Sequence, residues 1–188
     1  MEPLLPKLAA DASRTMLALA AQQDVFQQVA EAAVATLKSG GKILTCGNGG
    51  SAADAMHLAE ELGGRYRGNR RPLPAISLNA DATLLTCIAN DYGFDEVFSR
   101  QVEGLANKND LLVCFSTSGN SRNILRALEA ARSKGVKSVA LLGRDGGKAK
   151  GKADLEMIIA HVDSGRIQEA HTLILHALLE VIEREIAA

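Results

Sequence analysis

Five short apolar runs, KILTC, PAISL, LLVCF, SVALLG and LEMIIA, recur along the chain, each separated from the next by a segment long enough for a helix or a long loop. Strands joined by tight turns could form an antiparallel meander, whereas strands separated by helices are the mark of βαβ units and a parallel sheet. The spacing predicts helices over about 51–63, 81–90, 94–105, 121–134 and 165–187. Before the first run, residues from about Leu4 to Leu37 repeat apolar side chains at helical spacing, as in Val25, Val29, Ala32, Ala33 and Leu37. This predicts a long helix or a helix pair, closed by Lys38-Ser39-Gly40-Gly41. The expected fold is therefore α/β, a three-layer α-β-α arrangement with a five-stranded parallel sheet and a helical N-terminal region over about 1–40.

With no repeat, low-complexity tract or Pro/Ser-rich linker, the chain reads as one domain over residues 1–188. At 47% hydrophobic and 23% charged residues it has the composition of a soluble globular protein. The net charge of -1 gives no footing for a nucleic-acid or anionic-membrane partner. The N-terminus carries Glu2, Asp11 and Asp24, and its apolar runs are too short for a signal peptide or spanning helix, so a cytoplasmic location is expected. Cys46, Cys87 and Cys114 form no metal-site spacing and read as buried free thiols.

In open parallel sheets, ligands bind beyond the carboxyl ends of the strands. Two of those ends carry unusual loops. The first, Gly47-Asn48-Gly49-Gly50-Ser51, lets backbone N–H groups approach a ligand at a helix N-terminus, which favours negative charge. Gly47, Gly49 and Ala52 also satisfy a relaxed dinucleotide fingerprint, but no acidic residue closes the next strand at the required distance. The second, Ser116-Thr117-Ser118-Gly119-Asn120-Ser121, gathers four hydroxyls before a helix, where an N-cap would use only one. A phosphate accounts for all four. The near-match to a P-loop in GGKAKGKA, Gly146 to Ala153, lacks the magnesium-binding hydroxyl and precedes a strand, so it reads as a basic surface turn.

His57 and Glu61 lie one turn apart on the helix that starts at the glycine turn, so both face a group held there. On the C-terminal helix, Gln168 and His176 are eight residues apart, which places them about 80° apart around the axis and about 12 Å apart along it. They meet one ligand only if their side chains reach toward each other or if one comes from a neighbouring subunit. His161 and His171 read as core histidines.

With these residues placed, CGNGGSAADAMHLAEELGGRY, IANDYGFDEVFSRQV, STSGNS and RIQEAH, in that order, give the chain a resemblance to the sugar isomerase (SIS) domain family that covers nearly its whole length. Within the family, it is similar to the branch that interconverts a seven-carbon ketose phosphate and its aldose in bacterial heptose synthesis. The resemblance implies a flavodoxin-like sheet and a homotetramer with active sites at subunit interfaces. It implies that Ser116, Thr117, Ser118 and Ser121 hold the substrate phosphate, that Asn48, Gly49, Gly50, Ser51, Arg65, Asn90, Asp91 and Gln168 contact the sugar, and that Glu61 and His176 are the acid-base pair. His57, Glu61, Gln168 and His176 match positions that ligate zinc in some members. One departure is Gly165, where some relatives carry an acidic residue before the arginine of RIQE.

Ketose-aldose interconversion moves a proton between C1 and C2 through an enediol, and needs a base near both carbons and an acid near the oxygens. Glu61 suits the first role and His176 the second, while zinc would polarise the carbonyl. Two other readings stay open. One is a regulator of the same fold, such as the relative that associates with the replication initiator, which could dispense with the carboxylate and imidazoles. The other is an isomerase for a different phosphosugar.

Overall fold

The computed structural model describes residues 3–187. Met1, Glu2 and Ala188, at the ends of the expected 1–188 unit, lie outside the described residues. Helices α1 (Leu4–Ala18) and α2 (Gln23–Lys38), joined by a 3-10 turn, precede strand β1 (Ile43–Gly47) and helix α3 (Gly50–Gly63). There follow β2 (Ala75–Ser77), α4 (Ala82–Tyr92), α5 (Ser99–Leu105), β3 (Leu111–Ser116), α6 (Arg122–Lys134), β4 (Lys137–Gly143), β5 (Leu155–Ile159) and α7 (Ser164–Ala187). The five strands form one parallel sheet in the order β2-β1-β3-β4-β5. The chain steps from β1 outward to β2 and then returns to the other side of β1 as β3. The strand order therefore reverses at the β1/β3 pair, opening a crevice at their carboxyl ends.

Alternation within the strands feeds two cores. Ile43, Leu111, Val113, Phe115, Val139 and Leu141 pack on one face under α2, α3 and α7. Leu44, Cys46, Leu112, Cys114, Ala140 and Leu142 pack on the other with residues of α4, α5 and α6. At the amino ends of β1 and β3, Asp110 accepts the backbone N–H groups of Lys42 and Asn107 and pairs with the Lys42 ammonium at 2.5 Å. Burial pushes that carboxyl up, but these bonds outweigh it and hold it below its ordinary value. Edge strand β5 is blunted by Gln22, whose side chain bonds both the N–H and the C=O of Ile158. Among the described residues, no helix is long and apolar enough to cross a membrane.

Four local expectations need correction. Cys46 and Cys114 are buried register partners with their sulfurs 3.5 Å apart, and their mutual hydrogen bond and burial raise the Cys46 thiol well above its usual value. Cys87, however, is exposed, because α4 turns only Ile88 fully into the core. His161 is not in the core: it lies beyond edge strand β5, pairs with Asp11 of α1 at 3.2 Å and accepts the Asp163 N–H. The helical stretch expected over 94–105 is broken, with a 3-10 turn at Phe94–Glu96 before α5. The turn at Gly146–Ala153 is not merely a surface feature, because Ala149 is buried and donates its N–H to the Gly119 carbonyl while Lys148 N–H bonds Asn120.

His171 is in the core as expected, fully buried and edge-on to Phe115 at 5.8 Å, but among the described residues neither ring nitrogen has a well-formed hydrogen bond. Burial lowers its pKa from 6.5 to about 4, and the nearby Leu142 backbone opposes this only weakly. The folded state therefore binds fewer protons than the unfolded state between those two pH values. The stability that follows is fully present above about 6.5 and is lost as pH falls toward 4. The wild type should lose on the order of 2 kcal/mol between pH 7 and 5 from this group. Urea unfolding of wild type and His171→Leu at both pH values tests this: the variant should lose correspondingly less, and equal losses would refute the assignment.

Candidate active site

The two unusual loops meet across the β1/β3 crevice. Gly49, at φ 58° and ψ -122°, adopts a backbone conformation that suits glycine, and it starts α3. A side chain on Gly47 would collide with the Ser51 carbonyl, so glycine allows the first turn of α3 to fold back against β1. Asn79, just beyond β2, holds this bend by accepting the Gly47 N–H and donating to the Gly47 carbonyl. The Ser51, Ala52 and Ala53 N–H groups are taken up by the Asn48 and Gly49 carbonyls. Among the described residues, those of Gly49 and Gly50 find no protein acceptor.

Opposite, the 116–121 loop organises itself and leaves donors over. Ser116 Oγ accepts the Gly119 N–H and Ser118 Oγ accepts the Asn120 N–H, so both hydroxyl protons stay free to donate. Ser121 stands at the N-cap of α6, but its side chain makes no capping bond. Among the described residues, the N–H groups of Thr117, Ser118, Ser121 and Arg122 have no protein acceptor. Unpaired N–H groups and hydroxyls at a helix N-terminus form an anion site without a counter-charge. The loops are tied together by a reciprocal amide pair in which Asn48 and the buried Asn123 each donate to the other at 2.9 Å. A cavity of about 440 Å³ opens here, lined by Asn48, Gly49, Phe94, Ser121 and Asn123 among others.

The second half of the site is a helix pair. Helices α3 and α7 both follow strands of a parallel sheet, so both begin at its carboxyl edge and run side by side. The Gln168 amide fills the space a side chain on Gly50 would need. One turn on, Thr172 donates to Asp54 at 3.0 Å. One turn further, the His57 and His176 rings meet edge-on with centroids 5.1 Å apart. His57 Nε2 lies 3.5 Å from Glu61 Oε1, as their spacing predicts. Gln168 and His176 thus reach the glycine turn and the His57-Glu61 pair of their own chain. Asp54, unmarked by the sequence, is buried, and among the described residues its Oδ2 has no partner. Burial raises its pKa against the Thr172 hydrogen bond and the His57 charge.

The structure separates other expected contacts from this cluster. Arg65 is exposed in the loop after α3, and Asn90 and Asp91 lie exposed near the end of α4, bonded to each other at 2.7 Å. Among the described residues none of the three hydrogen-bonds to the helix pair. Near Gly165, Asp163 is occupied in accepting the Gly165 and Arg166 N–H groups at the start of α7. Ligand atoms of His57, Glu60 and Glu61 lie within 4.8 Å of one another, a spacing compatible with a metal ion, and no motif marks Glu60 in the sequence. The imidazoles and carboxylates present are donors suited to zinc.

The profile of the SIS domain family matches residues 9–143. A phosphoheptose isomerase of Helicobacter pylori (strain P12) is 53% identical over 165 residues, covering 88% of this chain and 86% of that one. The structure of a phosphoheptose isomerase from Francisella tularensis superposes with a TM-score of 0.93 at 35% identity, covering 98% of this chain and 100% of that one. One from Neisseria gonorrhoeae gives 0.84 at 41% identity, covering 96% and 99%. The chain belongs to the phosphoheptose isomerase family of SIS-domain proteins.

Proposed function

We propose that this protein converts sedoheptulose 7-phosphate to D-glycero-D-manno-heptose 7-phosphate, the aldose that opens bacterial ADP-heptose synthesis for the lipopolysaccharide core. The observation that carries the reading is the juxtaposition of an uncharged loop rich in free donors with a carboxylate and imidazoles from α3 and α7. A regulator that only bound a sugar phosphate would need the first and not the second.

In this reading Ser116, Thr117, Ser118 and Ser121 hold the phosphate. Asn48, Gly49, Gly50, Ser51 and Gln168 align the sugar chain, with Arg65, Asn90 and Asp91 completing the contacts. Glu61 takes the proton from C1 of the ketose while His176 donates one to the C2 oxygen, giving the enediol. Protonated Glu61 then returns its proton to C2 and His176 recovers the O1 proton, giving the aldose. His57, Glu61, Gln168 and His176 would hold zinc, with Glu60 beside them; because Glu61 cannot readily be ligand and base at once, bound zinc would supply either polarisation of the carbonyl oxygen or an anchor for the loop. We further assign a homotetramer with sites at its interfaces. Leu5 at 76% and Leu17 at 74% exposure on α1, and Phe94 at 62% beside the cavity, favour an assembly that covers them. Three free thiols suit the cytoplasm.

Incubation with sedoheptulose 7-phosphate in D2O, followed by NMR, should show an aldose phosphate, with deuterium at C2 in those turnovers in which protonated Glu61 exchanges with solvent before returning its proton. Glu61→Gln should abolish turnover while melting temperature and oligomer mass hold, since it keeps the side chain's size but removes the proton acceptor. Turnover near wild type in the folded variant would remove Glu61 as the base.

Ser118→Ala should weaken binding of the phosphorylated ketose by on the order of 1.5–3 kcal/mol, the worth of a hydrogen bond to a charged group. Inorganic phosphate should inhibit competitively. An unchanged KM without inhibition would mean that the 116–121 loop holds no phosphate.

A further inference from the structure

We infer that Tyr66 is a positioning residue for the His176 imidazole, held in place by a clamp that α7 builds for the loop after α3. The inference rests on the isomerase reading of the site and adds a residue to it. Tyr66 stacks on His176 with ring centroids 5.5 Å apart and planes 23° apart, while His57 meets the same imidazole edge-on at 82°. One ring therefore lies against a face of His176 and another stands across it. Offset stacking of this kind restricts ring rotation about χ2, which an exposed histidine samples freely. Among the described residues the Tyr66 hydroxyl makes no hydrogen bond, so it is the flat ring that is in use.

A loop side chain can serve as a stop only if its backbone is fixed. Glu183, two turns beyond His176 on α7, accepts the backbone N–H groups of Tyr66, Arg67 and Gly68 at 3.0, 3.1 and 3.0 Å. It also accepts from Arg70 Nε at 3.0 Å. The Arg70 guanidinium continues to the carbonyls of Glu61 at 2.6 Å and Leu62 at 2.9 Å, capping the end of α3. Burial pushes the Glu183 carboxyl up, and the three N–H groups with Arg70 more than reverse it. Arg67, 5.1 Å from the centroid of the Tyr66 ring, pairs with Glu180 at 2.7 Å, one turn from His176. The loop that carries Tyr66 is thus fastened to the helix that carries His176 and to the end of the helix that carries Glu61.

The test uses the full-length protein labelled with 13C in its histidine rings, with the His176 resonance identified by its loss in His176→Gln. Tyr66→Phe keeps the flat ring, so kcat and the ring-current-shifted His176 resonance should both stay near wild type. Tyr66→Ala should move that resonance and lower kcat by about 100-fold, the scale of a catalytic group displaced by about 1 Å. The KM for sedoheptulose 7-phosphate should change little, because the phosphate loop is untouched. If Tyr66→Ala fails to fold, Tyr66→Leu, which keeps bulk without a flat face, is judged by the same two readouts. An unmoved His176 resonance or wild-type kcat in the ring-less variant overturns the inference. So does a Tyr66→Phe variant as slow as Tyr66→Ala, which would make the hydroxyl a reacting group. A wild type inert toward the ketose phosphate would defeat the isomerase reading instead, and 13C relaxation of the His176 ring, more mobile in Tyr66→Ala than in Tyr66→Phe if Tyr66 restrains it and equal in both if it does not, would still decide whether Tyr66 sets the imidazole.

Discussion

The site depends on the parallel packing of α3 against α7. Two helices that each follow a strand of the same parallel sheet start at the same edge and run in the same direction, so residues along them can meet in step. Gly50 meets Gln168, Asp54 meets Thr172, and His57 meets His176. The absence of a side chain at Gly50 lets the first pair approach, and the Thr172-Asp54 bond fixes the second. A slip of one residue along either helix would rotate its side chains by about 100° and separate the imidazoles. Local choices at Gly50 and Asp54 therefore bear on the geometry of the proposed acid-base pair, with Glu61 three and two turns away along α3.

The sheet supplies the other half. Reversal of strand order at β1/β3 leaves a crevice, and the loops after those two strands border it. The Asn48-Asn123 amide pair joins the loop that offers phosphate donors to the turn from which α3 departs. In the proposed reading, anion binding and proton transfer are thereby divided between elements that share one anchor. In that reading the phosphate would fix the substrate at one end while the carboxylate and imidazole address the other, putting to use binding energy remote from the reacting carbons.

Much of this was legible in the sequence because it is periodic or local. Strand alternation and helix spacing gave the layers, and the i to i+4 relation of His57 and Glu61 survives as a 3.5 Å approach. The Ser116–Ser121 loop was visible because four hydroxyls in six residues exceed what a cap needs. What escaped was long-range and made of common residue types. Asn79, Asn123 and Glu183 look like ordinary polar residues until tertiary contacts bring the first two to the glycine turn and the third to the loop after α3. Cys87 is exposed, because apolar neighbours in sequence do not specify which face of α4 meets the core. The turn at Gly146–Ala153 was read by its lysines, whereas its backbone docking against Gly119 is what the fold uses.

We propose that one chain supplies both members of the acid-base pair, Glu61 from α3 and His176 from α7. Subunits carrying Glu61→Gln and subunits carrying His176→Asn can be unfolded together, reassembled, and assayed on sedoheptulose 7-phosphate once mass spectrometry shows mixed oligomers. Every site in such a mixture would lack either the carboxylate or the imidazole, so activity should stay at the level of the separate variants. Recovery of activity in the mixed oligomers would place Glu61 and His176 of one site on different chains, and the α3-α7 pair of a single chain would not be the reacting unit.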